Sequence, residues 1–145
     1  MILLVEDNAN DQFLMFRALR ASNVSDRDVV VVRDGAEMLD YLQAVGRFSE
    51  RDKRVLPSLI LLDLKIPKVS GIEVLRSIRN DQRLRFVPVV VLTTSTEEED
   101  VLAAYEGGCN SYVYKAVDFT KFVESVGAIV SYWLHLNAVA PSPQL

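Results

Sequence analysis

Short apolar runs alternate with longer segments of mixed polarity along the whole chain. The runs are rich in Val, Ile and Leu and stop at polar or turn-forming residues, which is typical of strands that are buried on both faces. The predicted strands cover residues 2–5, 29–32, 58–63, 89–92 and 111–114.

The segments between these runs carry apolar residues at the spacing of an amphipathic helix. The predicted helices cover residues 8–21, 36–42, 72–80, 96–107 and 118–137. The fourth helix is expected to begin at Thr96, because residues 96–99 have the Thr-x-x-Glu form of a capping box. Residues 46–57 are polar, with Gly46 and Pro57 at their ends, and predict a connecting loop.

The alternation of strand and helix predicts a single α/β domain. Repeated β-α units imply right-handed crossovers and a parallel sheet covered by helices on both faces. A length of 145 residues, of which 50% are hydrophobic, suits one well-buried core. We expect a domain over residues 1–138, which includes an extended last helix, and a tail over residues 139–145, where Pro141 and Pro143 end regular structure.

Charge and composition narrow the choice of partners. The chain has 20 acidic and 16 basic residues, and its net charge of -4 argues against nucleic acid as a partner. The single cysteine, Cys109, cannot form an internal disulfide, and no apolar run is long enough to span a membrane. We therefore expect a soluble, cytoplasmic protein.

Side chains of the kinds that bind ligands or take part in catalysis follow several of the predicted strands. Glu6 and Asp7 follow the first strand, Asp63 ends the third, and Thr93 and Lys115 follow the fourth and fifth. Because the carboxyl ends of parallel strands share one edge of a sheet, these side chains should meet. Carboxylates within about 4–6 Å of one another repel unless a cation is present, so Mg²⁺ is expected. With an ammonium and a hydroxyl beside it, such a site suits a phosphoryl group.

This set of residues resembles the receiver domain of two-component response regulators, and the resemblance extends over nearly the whole chain. It implies a flavodoxin-like, doubly wound three-layer sandwich with strand order 2-1-3-4-5. The implied roles are a phosphoacceptor, Asp63; metal ligands Glu6, Asp7, Asp63 and the backbone carbonyl of Lys65; a switch hydroxyl, Thr93; a phosphoryl-binding lysine, Lys115; and a switch aromatic, Tyr112. The implied metal is Mg²⁺ or Mn²⁺, with Ca²⁺ as a possible occupant in crystals.

The resemblance also implies a function. A receiver accepts a phosphoryl group from a sensor histidine kinase, catalyses its own phosphorylation and slow dephosphorylation, and signals through a changed protein surface. Residues 61–67 and 89–95, together with the long loop at 46–57, resemble single-domain receivers that partner phytochrome-type histidine kinases. The absence of a predicted second domain favours output through a protein contact.

Two positions differ from the usual pattern of the family. Lys115 is followed by Ala116, where the family usually has proline, so the cis peptide bond common there is in question. Thr94 is larger than the small residue often found beside the switch hydroxyl. We expect Thr94 to narrow access to the phosphoryl group and to slow its transfer or hydrolysis.

The first and last helices carry apolar residues that the sheet does not require. In the last helix a stripe from Phe119 to Trp133 should pack on the sheet, and the end of the helix is long enough to project beyond it. We expect a homodimer, with contacts from Ile129, Tyr132, Trp133 and Leu136. In the first helix, Phe13 and Phe16 lie off the apolar stripe and are predicted either to contact the kinase or to pack under the last helix.

Two other classes of protein remain as alternatives. A phosphatase or phosphotransferase of the haloacid-dehalogenase kind also uses an aspartate nucleophile and Mg²⁺, but it normally has a second aspartate two residues later, where this chain has Lys65. A scaffold that is not phosphorylated would be expected to have lost part of the residue set, which is intact here. The receiver interpretation is favoured over both.

Overall fold

The computed structural model of the chain describes residues 1–141, and it has five strands and five α-helices in strict alternation. The strands are β1 (Ile2–Val5), β2 (Val29–Val32), β3 (Leu59–Leu62), β4 (Val89–Thr93) and β5 (Ser111–Tyr114). The helices are α1 (Ala9–Ala21), α2 (Gly35–Gln43), α3 (Gly71–Asn80), α4 (Glu98–Gly107) and α5 (Phe119–Val130), and a π-helical segment at Ser131–Leu136 continues α5.

The strands form one parallel sheet in the order β2-β1-β3-β4-β5, which confirms the predicted fold. In register, Val5 lies beside Val32 on one side and beside Leu62 on the other. At the far side of the sheet Thr93 pairs with Tyr114. The residues that follow β1, β3 and β5, and the last residue of β4, therefore lie along the same carboxyl edge.

Alternate residues of the strands supply two separate cores. Leu3, Ile60 and Val91 belong to the layer that packs under α2, α3 and α4. Their neighbours Leu4 and Leu61 belong to the layer that packs under α1 and α5. Burial of both faces explains why the central strands β1, β3 and β4 are apolar runs and not alternating ones.

The start of α4 differs from the prediction. The other four helices each follow an N-cap residue whose side chain accepts a hydrogen bond from a backbone amide of the first turn, namely Asn8, Asp34, Ser70 and Asp118. The capping box at residues 96–99 is wrong, because α4 begins at Glu98 after an N-cap residue, Glu97, that makes no side-chain capping bond. The hydroxyl of the buried Ser95 instead accepts a hydrogen bond from the amide of Glu97 at 3.4 Å.

The last helix ends close to the predicted position, but one residue that was expected on its exposed surface is buried. Ile129 is only 7% exposed and belongs to the core under α1 and α5, so the expected dimer contact at Ile129 is wrong. It lies three residues after Val126 and seven after Phe122, on the same buried face. Tyr132 and Leu136 are exposed.

The structure describes only the first part of the predicted tail. Residues 137–141 form no helix or strand, whereas residues 142–145 lie outside the described residues, so the domain boundary at 138 stays a prediction. Within residues 1–141, none of the helices combines the length and hydrophobicity needed to cross a membrane.

Candidate site at the carboxyl edge of the sheet

The sheet brings an aspartate, a threonine and a lysine into direct contact. Asp63 follows the last residue of β3, Thr93 is the last residue of β4, and Lys115 follows β5. The backbone amide of Lys115 donates to the carbonyl of Thr93 at 2.8 Å and so continues the pairing of β4 and β5. Parallel register therefore places residues from distant parts of the sequence at one point.

The carboxylate of Asp63 accepts hydrogen bonds on both oxygens. Its Oδ1 accepts from the hydroxyl of Thr93 and from the backbone amide of Lys65, both at 3.0 Å. Its Oδ2 accepts from Nζ of Lys115 at 3.1 Å. The side chain is 13% exposed, so it is held in place and still reachable from solvent.

Glu6 and Lys115 form the buried part of the site. Nζ of Lys115 donates to Oε2 of Glu6 at 2.6 Å, and the amide of Asn8 donates to Oε1 at 3.1 Å. Burial raises the pKa of Glu6, although the hydrogen bond from Lys115 opposes this effect. Burial alone would lower the pKa of Lys115, but its contacts with Glu6 and Asp63 raise it, so the ammonium is charged at neutral pH.

The three carboxylates do not form a ready-made cluster. Among residues 1–141, no group of three His, Cys, Asp or Glu side chains is close enough to hold a metal ion. Glu6 and Asp63 share one cation, the ammonium of Lys115, while Asp7 is exposed. Glu6 and Asp63 therefore contact the same ammonium group, as expected, but Asp7 does not join them.

The donor set nevertheless fits a hard divalent cation. Carboxylate and carbonyl oxygens are the ligands that Mg²⁺ and Mn²⁺ take, and Glu6 and Asp63 already share a positive charge. The chain supplies a third carboxylate, Asp7, directly after Glu6.

The remaining predicted residues lie around this centre. The hydroxyl of Tyr112 donates to the backbone carbonyl of Ser95 at 3.0 Å, close to Thr93. Thr94 is exposed and lines a cavity of about 240 Å³ between α1 and α5, beside Glu6 and Lys115. The Lys115–Ala116 peptide bond is trans, as are the other peptide bonds of the described residues.

The two phenylalanines of α1 have different surroundings. Phe13 is 61% exposed, so its predicted alternative role in packing under the last helix is wrong. Phe16 is partly buried, with the guanidinium of Arg20 at 5.9 Å from the centre of its ring. Arg17 lies 4.5 Å from the ring centre of Phe119, so cationic and aromatic side chains share this surface.

Sequence reasoning missed two contributors to the site. Nε2 of Gln12 donates to the backbone carbonyl of Glu6 at 2.7 Å and fixes the end of β1. Ser95 contacts Thr93, Tyr112 and α4, although its position after the Thr-Thr pair predicts only a turn or cap residue. Nothing in the sequence pattern distinguishes either residue, because the contacts of both depend on how the loops after β1 and β4 fold.

The fold and the site together define a class of protein: a flavodoxin-like α/β domain with an aspartate, a threonine and a lysine at one acidic edge. The sequence model of the response regulator receiver domain family matches residues 2–127. The chain therefore belongs to the response regulator receiver domain family.

Several relatives match over most of their length. The chain is 44% identical over 142 residues to the probable methanogenesis regulatory protein FilR2 of Methanothrix harundinacea, covering 98% of this chain and 88% of FilR2. It is 41% identical over 133 residues to response regulator Rcp1 of Synechocystis sp., covering 92% of this chain and 88% of Rcp1.

Solved structures agree with these matches. The phosphorylated cyanobacterial phytochrome response regulator RcpA has a TM-score of 0.86 and 38% identity, with 97% of each chain covered. The Mn²⁺-bound form of Rcp1 has a TM-score of 0.85 and 38% identity, with 97% of this chain and 98% of that chain covered.

Proposed function

We propose that Asp63 accepts a phosphoryl group from the phosphohistidine of a sensor histidine kinase and that the protein then signals through a changed surface. The observation that carries this proposal is the Asp63 carboxylate, which Thr93, Lys65 and Lys115 hold by hydrogen bonds while it remains partly exposed. RcpA, which is similar over nearly its whole length, is named as a phosphorylated phytochrome response regulator. This similarity supports a phytochrome-type kinase as the donor.

The chemistry is a direct transfer between two nucleophiles. An oxygen of Asp63 forms a bond to phosphorus, the bond from phosphorus to the imidazole nitrogen breaks, and the imidazole keeps the electron pair. The ammonium of Lys115 lies 3.1 Å from Asp63 and balances charge on the phosphoryl oxygens. Glu6, Asp7, Asp63 and the carbonyl of Lys65 would hold a divalent cation, which would supply further positive charge; the Mn²⁺-bound form of Rcp1 supports a divalent cation in this family.

The same contacts explain how phosphorylation changes the surface. The Thr93 hydroxyl donates to Asp63 in the described state, and a phosphoryl oxygen on Asp63 offers it a new acceptor. Movement of Thr93 frees space that Tyr112, whose hydroxyl donates to the carbonyl of Ser95, can enter. The surface formed by α4, β5 and α5 then differs between two pre-existing states.

Reaction with a small phosphodonor distinguishes a receiver from the two alternatives, an enzyme and a scaffold that is not phosphorylated. Incubation with acetyl phosphate and Mg²⁺ should give a lasting, hydroxylamine-labile adduct. The protein itself should catalyse the formation of this adduct and its slow loss. Rapid release of phosphate over many turnovers would instead support a phosphatase or phosphotransferase. Absence of any reaction would support a scaffold.

The proposed kinase contact lies on α1. Changing Phe13 and Phe16 together to alanine should slow transfer from a cognate kinase by about tenfold or more, because Phe13 is exposed, Phe16 is partly exposed, and aromatic side chains often anchor protein contacts. Labelling by acetyl phosphate should stay normal, since neither ring contacts Asp63. Full transfer rates in the folded double variant would exclude this surface.

The proposed homodimer uses the end of the last helix. Leu136 is 73% exposed and Tyr132 lies in the same π-helical segment, so changing both to serine should shift the protein toward monomer in sedimentation. The matched control is Leu102→Ser on α4, which removes another exposed leucine. Trp133 packs against the core, so truncation before it would test folding as well as assembly. An unchanged dimer in the double variant would remove this interface.

Thr94 is proposed to control access to the phosphoryl group. Its exposed side chain lines the cavity beside Glu6 and Lys115, so Thr94→Ala should shorten the lifetime of the phosphoryl group several-fold by admitting water. The lifetime is measured by loss of label after the donor is removed. An unchanged lifetime would mean that the extra methyl and hydroxyl groups have no gating role.

A further inference from the structure

We propose that Asp34 and Lys68 act together as positioning residues, whose ion pair fixes the loop after β3 and so keeps the backbone carbonyl of Lys65 available to a divalent cation. The proposal rests on the cation site proposed above and assigns a role to two residues outside the proposed ligand set. Nζ of Lys68 lies 3.3 Å from Oδ2 of Asp34, and Lys68 comes three residues after Lys65 in the same loop.

The carboxylate of Asp34 is a fixed anchor on the neighbouring loop. Its Oδ1 accepts a hydrogen bond from the amide of Glu37 at 2.8 Å and so caps α2, which leaves Oδ2 for Lys68. The hydrogen bond from Glu37 holds the pKa of Asp34 below its usual value, and the ammonium of Lys68 adds to this effect while burial opposes it. The side chain of Asp34 is only 11% exposed, so Lys68 pairs with a charged group that cannot move freely.

The backbone of Lys68 has a conformation that disfavours lysine. Its φ is +65°, in the left-handed region, where glycine and asparagine are accommodated best. The other non-glycine residues with positive φ in the described part of the chain, Asn23 and Ala44, lie at the C-terminal ends of α1 and α2, where this conformation is common. Lys68 lies before α3 and ends no helix. A lysine at this position therefore keeps a side chain that the backbone alone does not favour, and that side chain reaches Asp34.

The loop between Lys65 and the ion pair is attached to its surroundings along its whole length. The amide of Lys65 donates to the carboxylate of the phosphoacceptor, and Ile66 is buried in the core under α2, α3 and α4. The carbonyl of Pro67 accepts from the amide of Gly35 at 3.3 Å. The ion pair is the last attachment in this series, and it joins the loop to the N-terminus of α2. Contacts behind a ligand set the position of the ligand, so this pair would act on the cation through the carbonyl of Lys65.

Direct binding of Mn²⁺ tests this proposal without any phosphodonor, because the electron paramagnetic resonance signal of free Mn²⁺ falls as the ion binds. Lys68→Met and Asp34→Asn should each raise the dissociation constant of Mn²⁺ about three- to tenfold, since contacts behind the ligands contribute to metal affinity. The double variant should bind no more weakly than the weaker single variant, because both changes break one contact. Lys68→Arg keeps the ion pair and should bind Mn²⁺ like the wild type.

The sign of the Lys68→Met effect separates positioning from simple charge repulsion. A lysine repels a nearby cation, so removal of its charge would by itself make Mn²⁺ bind more tightly. Positioning predicts weaker binding instead, and tighter binding would overturn the proposal. Lys53→Met is the matched control, because it removes another exposed lysine from the loop before β3, and it should leave Mn²⁺ binding unchanged. Asp34→Asn retains a side-chain oxygen that can cap α2, so its effect does not come from loss of the cap.

Lys68→Gly separates cation binding from stability. Glycine adopts a positive φ without steric cost, so this variant should keep about the wild-type free energy of unfolding in urea titration. It should nevertheless bind Mn²⁺ about as weakly as Lys68→Met, because the ion pair is lost. A parallel loss of stability and Mn²⁺ affinity would make the pair a plain structural contact and would overturn the proposal.

The outcome also separates this proposal from the cation site on which it rests. If the wild-type protein binds Mn²⁺ and both Lys68→Met and Asp34→Asn bind it equally well, only the role of the ion pair is wrong. If the wild-type protein does not bind Mn²⁺, the proposed cation site is wrong, and the role of the ion pair fails with it.

Discussion

Asp63→Asn is expected to abolish formation of the acyl phosphate. The amide of asparagine has nearly the shape of the carboxylate and can still accept from Thr93 and Lys65, so the domain should fold. It lacks the charged oxygen that attacks phosphorus, and removal of a covalent nucleophile typically costs a hundredfold or more, so labelling should fall by at least about that factor. The measurement is incorporation of phosphate from phosphoramidate in the presence of Mg²⁺.

An exposed aspartate provides the matched control for this variant. Asp52 lies in the loop before β3 and pairs with Arg54 on the surface, so Asp52→Asn makes the same chemical change away from the site. It should be labelled like the wild type. Equal labelling of Asp63→Asn and Asp52→Asn would defeat the assignment of the phosphoacceptor.

Gly35→Ala is expected to destabilise the domain and to disturb the site from a distance. A Cβ atom at this first residue of α2 would overlap the backbone carbonyl group of Val69, an impossible contact. The loop after β3 would have to move, and that loop includes Lys65, whose amide donates to Asp63. Overpacking of this kind costs about 2–3 kcal/mol of the free energy of unfolding, which urea titration measures.

The same substitution at Gly127 should stabilise the domain instead of destabilising it. A Cβ atom at Gly127 in α5 would meet only Oγ of Ser22, at an ordinary 3.5 Å. Gly127→Ala should therefore raise the free energy of unfolding by about 0.4–1 kcal/mol, because alanine loses less backbone entropy in a helix. Labelling by phosphoramidate should slow in Gly35→Ala and stay normal in Gly127→Ala. Equal stability of the two variants would contradict the close packing of the β2–α2 and β3–α3 loops.

Most of the fold was predictable because burial of both sheet faces leaves a strong pattern in the sequence. The strands lie within two residues of their predicted bounds, since each is an apolar run that turn residues limit. The start of α4 was not predictable from local pattern. Thr96 fits a capping box, but the hydroxyl of Ser95 takes the contact because the loop turns it into the protein.

The residues of the site were predictable from the sequence, but the contacts between their side chains were less so. Parallel strands must end at one edge, so Glu6, Asp63 and Lys115 could be grouped although Lys115 lies 109 residues after Glu6. That the ammonium lies between the two carboxylates depends on side-chain conformation, which no spacing encodes. The exposed position of Asp7 and the burial of Ile129 likewise depend on the packed structure.

Locating the phosphoryl group on the wild-type protein is the decisive measurement of whether Asp63 is the phosphoacceptor. The protein is treated with phosphoramidate with Mg²⁺ or with a chelator, the acyl phosphate is reduced with borohydride, and the modified residue is found by mass spectrometry of peptides. We expect a modification at Asp63 that requires the divalent cation. Modification of another residue, or labelling of Asp63 that is equally fast with the chelator, would contradict it.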